Sequence, residues 1–225
     1  MDEVSNEAGH RRSTCAHCLR AQSACWCGCV YPVSTTTQLL ILQHPLEVRH
    51  AKNTGRLLAQ CVRPSRLEVG EVFDAGDLQQ LLHAPWGGDA AQPLRTVLLY
   101  PDTPADPQLP LQAPPAWPED GASANAAWRL VVLDATWRKS RKMLYLNPAL
   151  QALPRLPLHA TAPGGYVIRK AQAPGQLSSF EAGMRALQQL ERWPDDAPQL
   201  QQLQSSFDDA MALHQRLQAM HQSQH

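Results

Sequence analysis

Apolar and polar positions along the chain follow two periods. Short continuous apolar runs stand at 37–44 (TQLLILQH), 96–100 (TVLLY) and 129–134 (RLVVLD). Runs of that length, rich in Leu, Val and Ile and bounded by polar residues, predict strands buried on both faces. LEVGEV (67–72) and YVIR (166–169) predict two shorter strands. Between them the spacing is helical. EVRHAKNTGRLLAQCV (47–62) predicts a helix interrupted at Asn53-Thr54-Gly55, with Arg49, Lys52 and Arg56 at i, i+3 and i+7 on one basic face. DLQQLL (77–82) predicts a short helix, and a basic helix runs from Thr136 to about Leu146, ended by Asn147-Pro148. In GQLSSFEAGMRALQQLER (175–192), Ser178-x-x-Glu181 is a capping box and sets a helix start. Residues 198–222 are Gln-rich with Leu200, Leu203, Phe207, Met211 and Leu217, an amphipathic terminal helix. The Pro-rich stretch 101–127 reads as a loop or insertion.

Strands alternating with helices give an α/β fold with a mostly parallel sheet. Ligands of such sheets bind beyond the carboxyl ends of the strands. Tyr100-Pro101 and Asp134-Ala135-Thr136 are two such ends, and the GQLSS turn offers the N–H groups of a helix N-terminus to an anionic group. Neither GxGxxG nor GxxxxGK[ST] occurs, so neither a dinucleotide fingerprint nor a P-loop is indicated.

Charge sharpens this picture. The formal net charge is zero, but its distribution is uneven. From Ala135 to Phe180 there is no acid, against Arg138, Lys139, Arg141, Lys142, Arg155, Arg169 and Lys170. From Ala8 to Leu67 the one acid, Glu47, stands against eight Arg and Lys residues. Such segregation points to a polyanion held on one side, and a nucleic acid is the natural partner. No apolar run reaches the roughly 18–20 residues of a membrane span. The N-terminus has no apolar h-region, so the expected location is the cytoplasm, with no membrane partner.

Five of the six cysteines fall within CAHCLRAQSACWCGC. In a cytosolic chain this spacing indicates a metal knuckle rather than a disulfide framework. Cys15, Cys18, Cys25 and Cys27 are the expected ligands of a structural Zn²⁺, with Cys29 an alternative to Cys27. Trp26 and neighbouring arginines give such a knuckle a surface for stacking on RNA, and a purely structural knuckle is the competing reading. Cys61 reads as a buried apolar residue.

The stretch VVLDATWRKSRKML (131–144) sets one carboxylate, Asp134, at a strand end directly before a basic helix. Asp134 is either a general base and orienting group or the cap of that helix. Trp137 either walls a base or packs in the core.

The Asp134-Ala135-Thr136-Trp137 segment resembles the Asp-x-Thr-Trp signature of the DTW-domain family. HPLEVRHAKNTGRLL (44–58), YPDTPA (100–105), RKMLYLNPAL (141–150), YVIRKA (166–171), GQLSSFEA (175–182) and the cysteine knuckle are similar to the family's motifs and stand in its order. Two departures are Ala135, where many relatives carry Gly, and the extra Cys29. The resemblance implies a SPOUT-like knotted core and a tRNA-uridine aminocarboxypropyltransferase. Its members transfer the 3-amino-3-carboxypropyl group of S-adenosylmethionine to N3 of a tRNA uridine and release methylthioadenosine. It further implies Asp134 as the catalytic base. S-adenosylmethionine is then bound by Leu99, Tyr100, Pro101, Leu133, Thr136, Trp137, Leu177, Ser178 and Ser179. Arg49, Lys52, Arg56, Arg138, Lys139, Arg141, Lys142, Arg169 and Lys170 contact RNA phosphate. The corresponding partition is a flexible N-terminus (1–12), a zinc knuckle (13–32), a catalytic domain (33–195) and a helical tail (196–225). An RNA methyltransferase and a non-enzymatic zinc-knuckle RNA-binding protein are the competing functions.

Overall fold

The computed structural model describes residues 13–50, 53–86, 94–101, 106–117, 127–156, 158 and 177–223. Its centre is a four-stranded sheet of order β2-β1-β4-β3, formed by β1 (Val33–Gln43), β2 (Val62–Val69), β3 (Leu94–Leu99) and β4 (Ala127–Asp134). All three pairings are parallel. Beyond β3, Arg155 makes a further parallel bridge to Leu98.

The long apolar runs arise because the inner strands are covered on both sides. Leu39, Ile41, Leu130, Val132 and Val97 face one layer, built from α1 (Gly55–Cys61), α5 (Ser179–Glu191) and α6 (Pro198–Gln222). Leu40, Leu42, Val131, Leu133 and Leu98 face the other, built from α2 (Ala75–His83), α3 (Trp137–Leu146) and α4 (Pro148–Gln151). Alternation at period two thus feeds two apolar layers, and the central stretches of the inner strands are apolar on both faces. Helix α6 belongs to the first layer, where Leu203 is fully buried and Phe207 stacks on Phe180 of α5 at 5.1 Å between centroids.

Several elements depart from the periodicity. Strand β1 begins at Val33, not at 37: the polar Ser34, Thr35 and Thr36 hide its start from the apolar pattern, yet β-branched Val33, Thr35 and Thr36 suit a strand. Glu191 at the end of α5 accepts from the Thr36 and Thr37 N–H groups. Residues 47–62 are not one interrupted helix. Pro45–Glu47 forms a 3-10 turn, α1 starts only at Gly55, and Val62 already opens β2. The cause is Asn53, whose side-chain amide and carbonyl take the backbone groups of Glu47 and Arg56. Arg49 and Arg56 therefore share no helix face. Lys52, the strand expected at 166–169, and Arg169 and Lys170 lie outside the described residues.

Candidate functional site

Chain direction locates the site before any side chain does. From β1 the chain leaves through α1 on one face towards β2; from the adjacent β4 it leaves through α3 on the other face towards the β3 edge. Adjacent strands whose exits diverge leave a crevice between their carboxyl ends. Gln43 of β1 and Asp134 of β4 are register partners at that point.

Alternation along β4 turns Asp134 to the α1/α5 face. It is 4% exposed. Its carboxylate accepts three side-chain hydrogen bonds from three separate segments: Gln43 Nε2 to Oδ2 (2.8 Å), Asn53 Nδ2 to Oδ2 (2.8 Å) and Ser179 Oγ to Oδ1 (2.7 Å). A carboxylate offers about four acceptor positions. Oδ2 is filled twice, and Oδ1 keeps one position open among the described residues. Asn53 is itself fixed, since Nδ2 also donates to the Glu47 carbonyl at 2.8 Å and Oδ1 accepts the Arg56 N–H at 3.2 Å. The Arg56 guanidinium donates to Gln43 Oε1 at 3.1 Å. Thr54 Oγ1 accepts the Phe180 N–H at 3.2 Å, which ties the α5 N-terminus to the same loop.

Asp134 does not cap α3: the N-cap is Thr136, exposed and without a side-chain cap bond. Ser178 is committed to the capping box with Glu181, while Ser179 is the serine that reaches Asp134. Leu177 and Leu99 are half-buried and Leu133 is buried. On the opposite face Tyr100, just past β3, meets Trp137 edge-on at 5.9 Å and approaches Ser140 Oγ at 3.4 Å. Arg155 stands over the Tyr100 ring at 5.4 Å. Trp137 is 53% exposed, so it is not a core residue, and Pro101 is exposed too.

The basic helix is less free than its sequence suggests. Lys139 pairs with Glu47 at 2.8 Å, Arg141 with Asp106 at 3.4 Å and Lys142 with Glu71 at 3.0 Å. Glu71 also meets His44 Nε2 at 3.3 Å, and the two bonds, Lys142's first and His44's second, pull its carboxyl below the usual range. These pairs strap α3 to the loops after β1, β2 and β3. Arg138 and Arg49 are exposed and unpaired among the described residues.

At the N-terminus the Sγ atoms of Cys15, Cys18, Cys25 and Cys27 lie within 4.8 Å of one another, a cluster able to hold a metal ion. Cys15 and Cys27 are 3.8 Å apart, Cys18 and Cys25 3.7 Å. Hydrogen bonds from the Cys18 and His17 backbone N–H groups lead the fall of the Cys15 thiol to about 6. Cys29 lies outside the cluster, near Asp209 and Arg216 of α6. Trp26 is not a stacking platform for RNA. It is 3% exposed, donates Nε1 to Gln60 Oε1 at 2.9 Å and lies beneath Arg20.

Gln43, Asn53 and Gly55 are site residues to which the sequence assigns no role. Gln43 carries no signal of its own; Asn53 and Gly55 are marked by the break at Asn53-Thr54-Gly55, where the chain meets Asp134.

The DTW domain family matches residues 12–225. A Drosophila melanogaster protein named tRNA-uridine aminocarboxypropyltransferase 2 is 29% identical over 200 residues, spanning 85% of this chain and 72% of its own length. An Arabidopsis thaliana protein named tRNA-uridine aminocarboxypropyltransferase A is 29% identical over 208 residues, with 84% and 76% covered. A Mus musculus relative named as the Drosophila protein is 28% identical over 192 residues, covering 83% of this chain and 59% of its own. No solved structure matches the chain.

Proposed function

The chain belongs to the DTW domain family, and we propose that it is a tRNA-uridine aminocarboxypropyltransferase that uses S-adenosylmethionine as donor. The observation that carries the mechanism is the open acceptor position on Asp134 Oδ1, at the strand-end crevice between β1 and β4. Uridine N3 is a weak nucleophile while protonated. In this reading Oδ1 takes the N3 proton as N3 attacks the γ-carbon of the aminocarboxypropyl chain. The carbon–sulfur bond breaks, its electron pair stays on sulfur, and methylthioadenosine leaves.

Gln43, Asn53 and Ser179 hold the carboxylate at a fixed angle, so orientation rather than a search through rotamers sets the approach. Leu99, Tyr100, Pro101, Leu133, Thr136 and Trp137 form the strand-end surface for the donor's nucleoside, with Leu177, Ser178 and Ser179 at the α5 N-terminus for its carboxylate. A SPOUT-like knotted core and a cytoplasmic location belong to the same reading.

The metal is zinc. A Zn–S bond of about 2.3 Å in a tetrahedral site separates sulfurs by about 3.8 Å. The two closest pairs, at 3.8 and 3.7 Å, meet that spacing. Four thiolates leave no open position, so this zinc is structural. Arg138, at the exposed start of α3, faces the RNA backbone with Lys139, Arg141 and Lys142 behind it; these contacts position the tRNA without reading its sequence.

Incubating the purified chain with unmodified tRNA and S-adenosylmethionine tests the reading. Methylthioadenosine and a uridine heavier by the aminocarboxypropyl group are expected. S-adenosylhomocysteine would instead mark a methyltransferase.

A further inference from the structure

One residue of α1 grips both amides that hold Asp134. The Arg56 backbone N–H donates to Asn53 Oδ1 at 3.2 Å, and the Arg56 Nη2 donates to Gln43 Oε1 at 3.1 Å. Each amide thus has its carbonyl taken at one end and its NH₂ turned to Asp134 Oδ2 at the other, both at 2.8 Å. A side-chain amide can sit in two orientations that differ only in which end donates. A flipped Gln43 would set its carbonyl against the carboxylate and its NH₂ against the guanidinium, two like contacts in place of two hydrogen bonds. Gln43 is fully buried, so bulk water cannot replace a lost partner.

Sequence spacing sets Arg56 among the cations expected on RNA phosphate. The fold turns it inward: the residue is half-buried, its Nε is buried and its Nη2 is on Gln43. Burial lowers the pKa of the guanidinium, and the charge of Asp134 leads the opposing pull. Arg56 is therefore a cation that answers Asp134 across one amide. Its bond to the Gln43 carbonyl also strengthens the Gln43 N–H as a donor, since linked hydrogen bonds polarise one another. With two N–H groups on Oδ2, the open acceptor position falls on Oδ1, beside Ser179. We infer that Arg56 is a positioning residue: through Gln43 it keeps Oδ2 filled, and so makes Oδ1 the oxygen that meets the uridine. This rests on the transferase reading for the proton that Oδ1 takes, but not for the lock on Gln43. The duty of Arg56 is thus distinct from that of the exposed Arg138.

The test uses the full-length zinc-loaded chain, an unmodified tRNA transcript and S-adenosylmethionine. Arg56→Met removes the guanidinium and keeps an unbranched stem; Arg56→Lys keeps the charge and a donor. Both leave the backbone N–H on Asn53. Thermal melting checks the fold, and Arg56→Gln takes the place of Arg56→Met if the latter does not fold. Arg56→Met should lower kcat for methylthioadenosine release about tenfold or more, with tRNA affinity and its salt slope at wild-type values. Arg56→Lys should recover part of that loss. In a Gln43→Met background, Arg56→Met should lower kcat no further, because the amide it acts through is gone. The side-chain amide protons of Gln43, assigned by their absence from the NMR spectrum of Gln43→Met, read the lock without the reaction. In Arg56→Met they should shift and exchange faster with water. Weaker tRNA binding with a reduced salt slope and unchanged kcat would make Arg56 a phosphate contact and overturn the inference. Additive losses in the two backgrounds, or unmoved Gln43 signals, overturn it as well and leave the transferase reading standing. Moved Gln43 signals, where even the wild-type chain releases no methylthioadenosine, uphold the lock and sink the transferase reading.

Discussion

A Cβ on residue 55 would stand 2.6 Å from Oδ2 and 2.7 Å from Oδ1 of Asp134. Gly55 therefore lets helix α1 begin flush against the carboxylate. Gly55→Ala pushes Asp134 off its three donors or α1 off the sheet. The expected cost is about 1–3 kcal/mol of stability, with a larger fractional loss of methylthioadenosine release than of tRNA binding. Chemical denaturation and single-turnover assays measure the two. Wild-type turnover in the alanine variant would show that the carboxylate position does not govern the reaction.

Asp134→Asn keeps the shape but turns an NH₂ group towards the donors of Gln43, Asn53 or Ser179. Buried donors facing a donor lose their partner, so about 2–4 kcal/mol of stability should go, together with the transferase activity. Ser179→Ala removes one donor from Oδ1 only. It should cost about 1–2 kcal/mol and lower kcat while leaving tRNA affinity unchanged. Denaturation midpoints and product release under saturating tRNA separate the two variants. An Asp134→Asn chain with wild-type kcat would remove Asp134 from the chemistry.

Cys15, Cys18 and Trp26 lie in the same apolar cluster as α1, α5 and α6. Metal removal should therefore loosen more than the knuckle. Chelation or Cys15→Ser is expected to drop the bound zinc from one per chain to none and to lower Tm for the whole cooperative transition. Cys29→Ser, outside the sulfur cluster, should keep the metal. Elemental analysis and calorimetry decide; loss of zinc from Cys29→Ser would reassign the fourth ligand.

Arg138 and Lys139 are neighbours with different duties. Arg138→Glu should weaken tRNA binding and reduce its salt slope by at least about one, with Tm unchanged. Lys139→Glu should also lower Tm, because it leaves the largely buried Glu47 carboxylate facing a like charge. Equal Tm values for the two variants would show that the Lys139–Glu47 pair carries no structural weight.

Leu203→Ala on α6 should cost about 3 kcal/mol, since Leu203 is fully buried between α6 and the sheet layer. Helix α6 (Pro198–Gln222), set apart by its Gln-rich sequence, packs into the same apolar layer as α1 and α5. Denaturant titration gives the value; a change near zero would mean that α6 docks only loosely.

Much of the scaffold is legible in the chain because its cause is local. Continuous apolar runs at Leu39–Leu42 and Leu130–Leu133 follow from burial on both sheet faces, Ser178-x-x-Glu181 closes a capping box within four residues, and Cys15, Cys18, Cys25 and Cys27 are close enough in sequence to meet in space. Asp134 stands out because a carboxylate ending an apolar strand must find partners. Its pairings do not stand out. Gln43, Asn53 and Ser179 are far apart along the chain and ordinary in type, and only the strand order β2-β1-β4-β3 brings them to one carboxylate. The same holds for the cations of α3, whose acids Glu47, Asp106 and Glu71 come from three other loops, and for Trp26, which a knuckle seen alone would leave exposed. The order of residues dictates the layers, the cysteine cluster and the carboxylate, since burial period and short-range spacing are written residue by residue. Which groups hold that carboxylate and which charges remain free is settled only on folding, because pairing across tens of residues depends on how the strands are ordered in space.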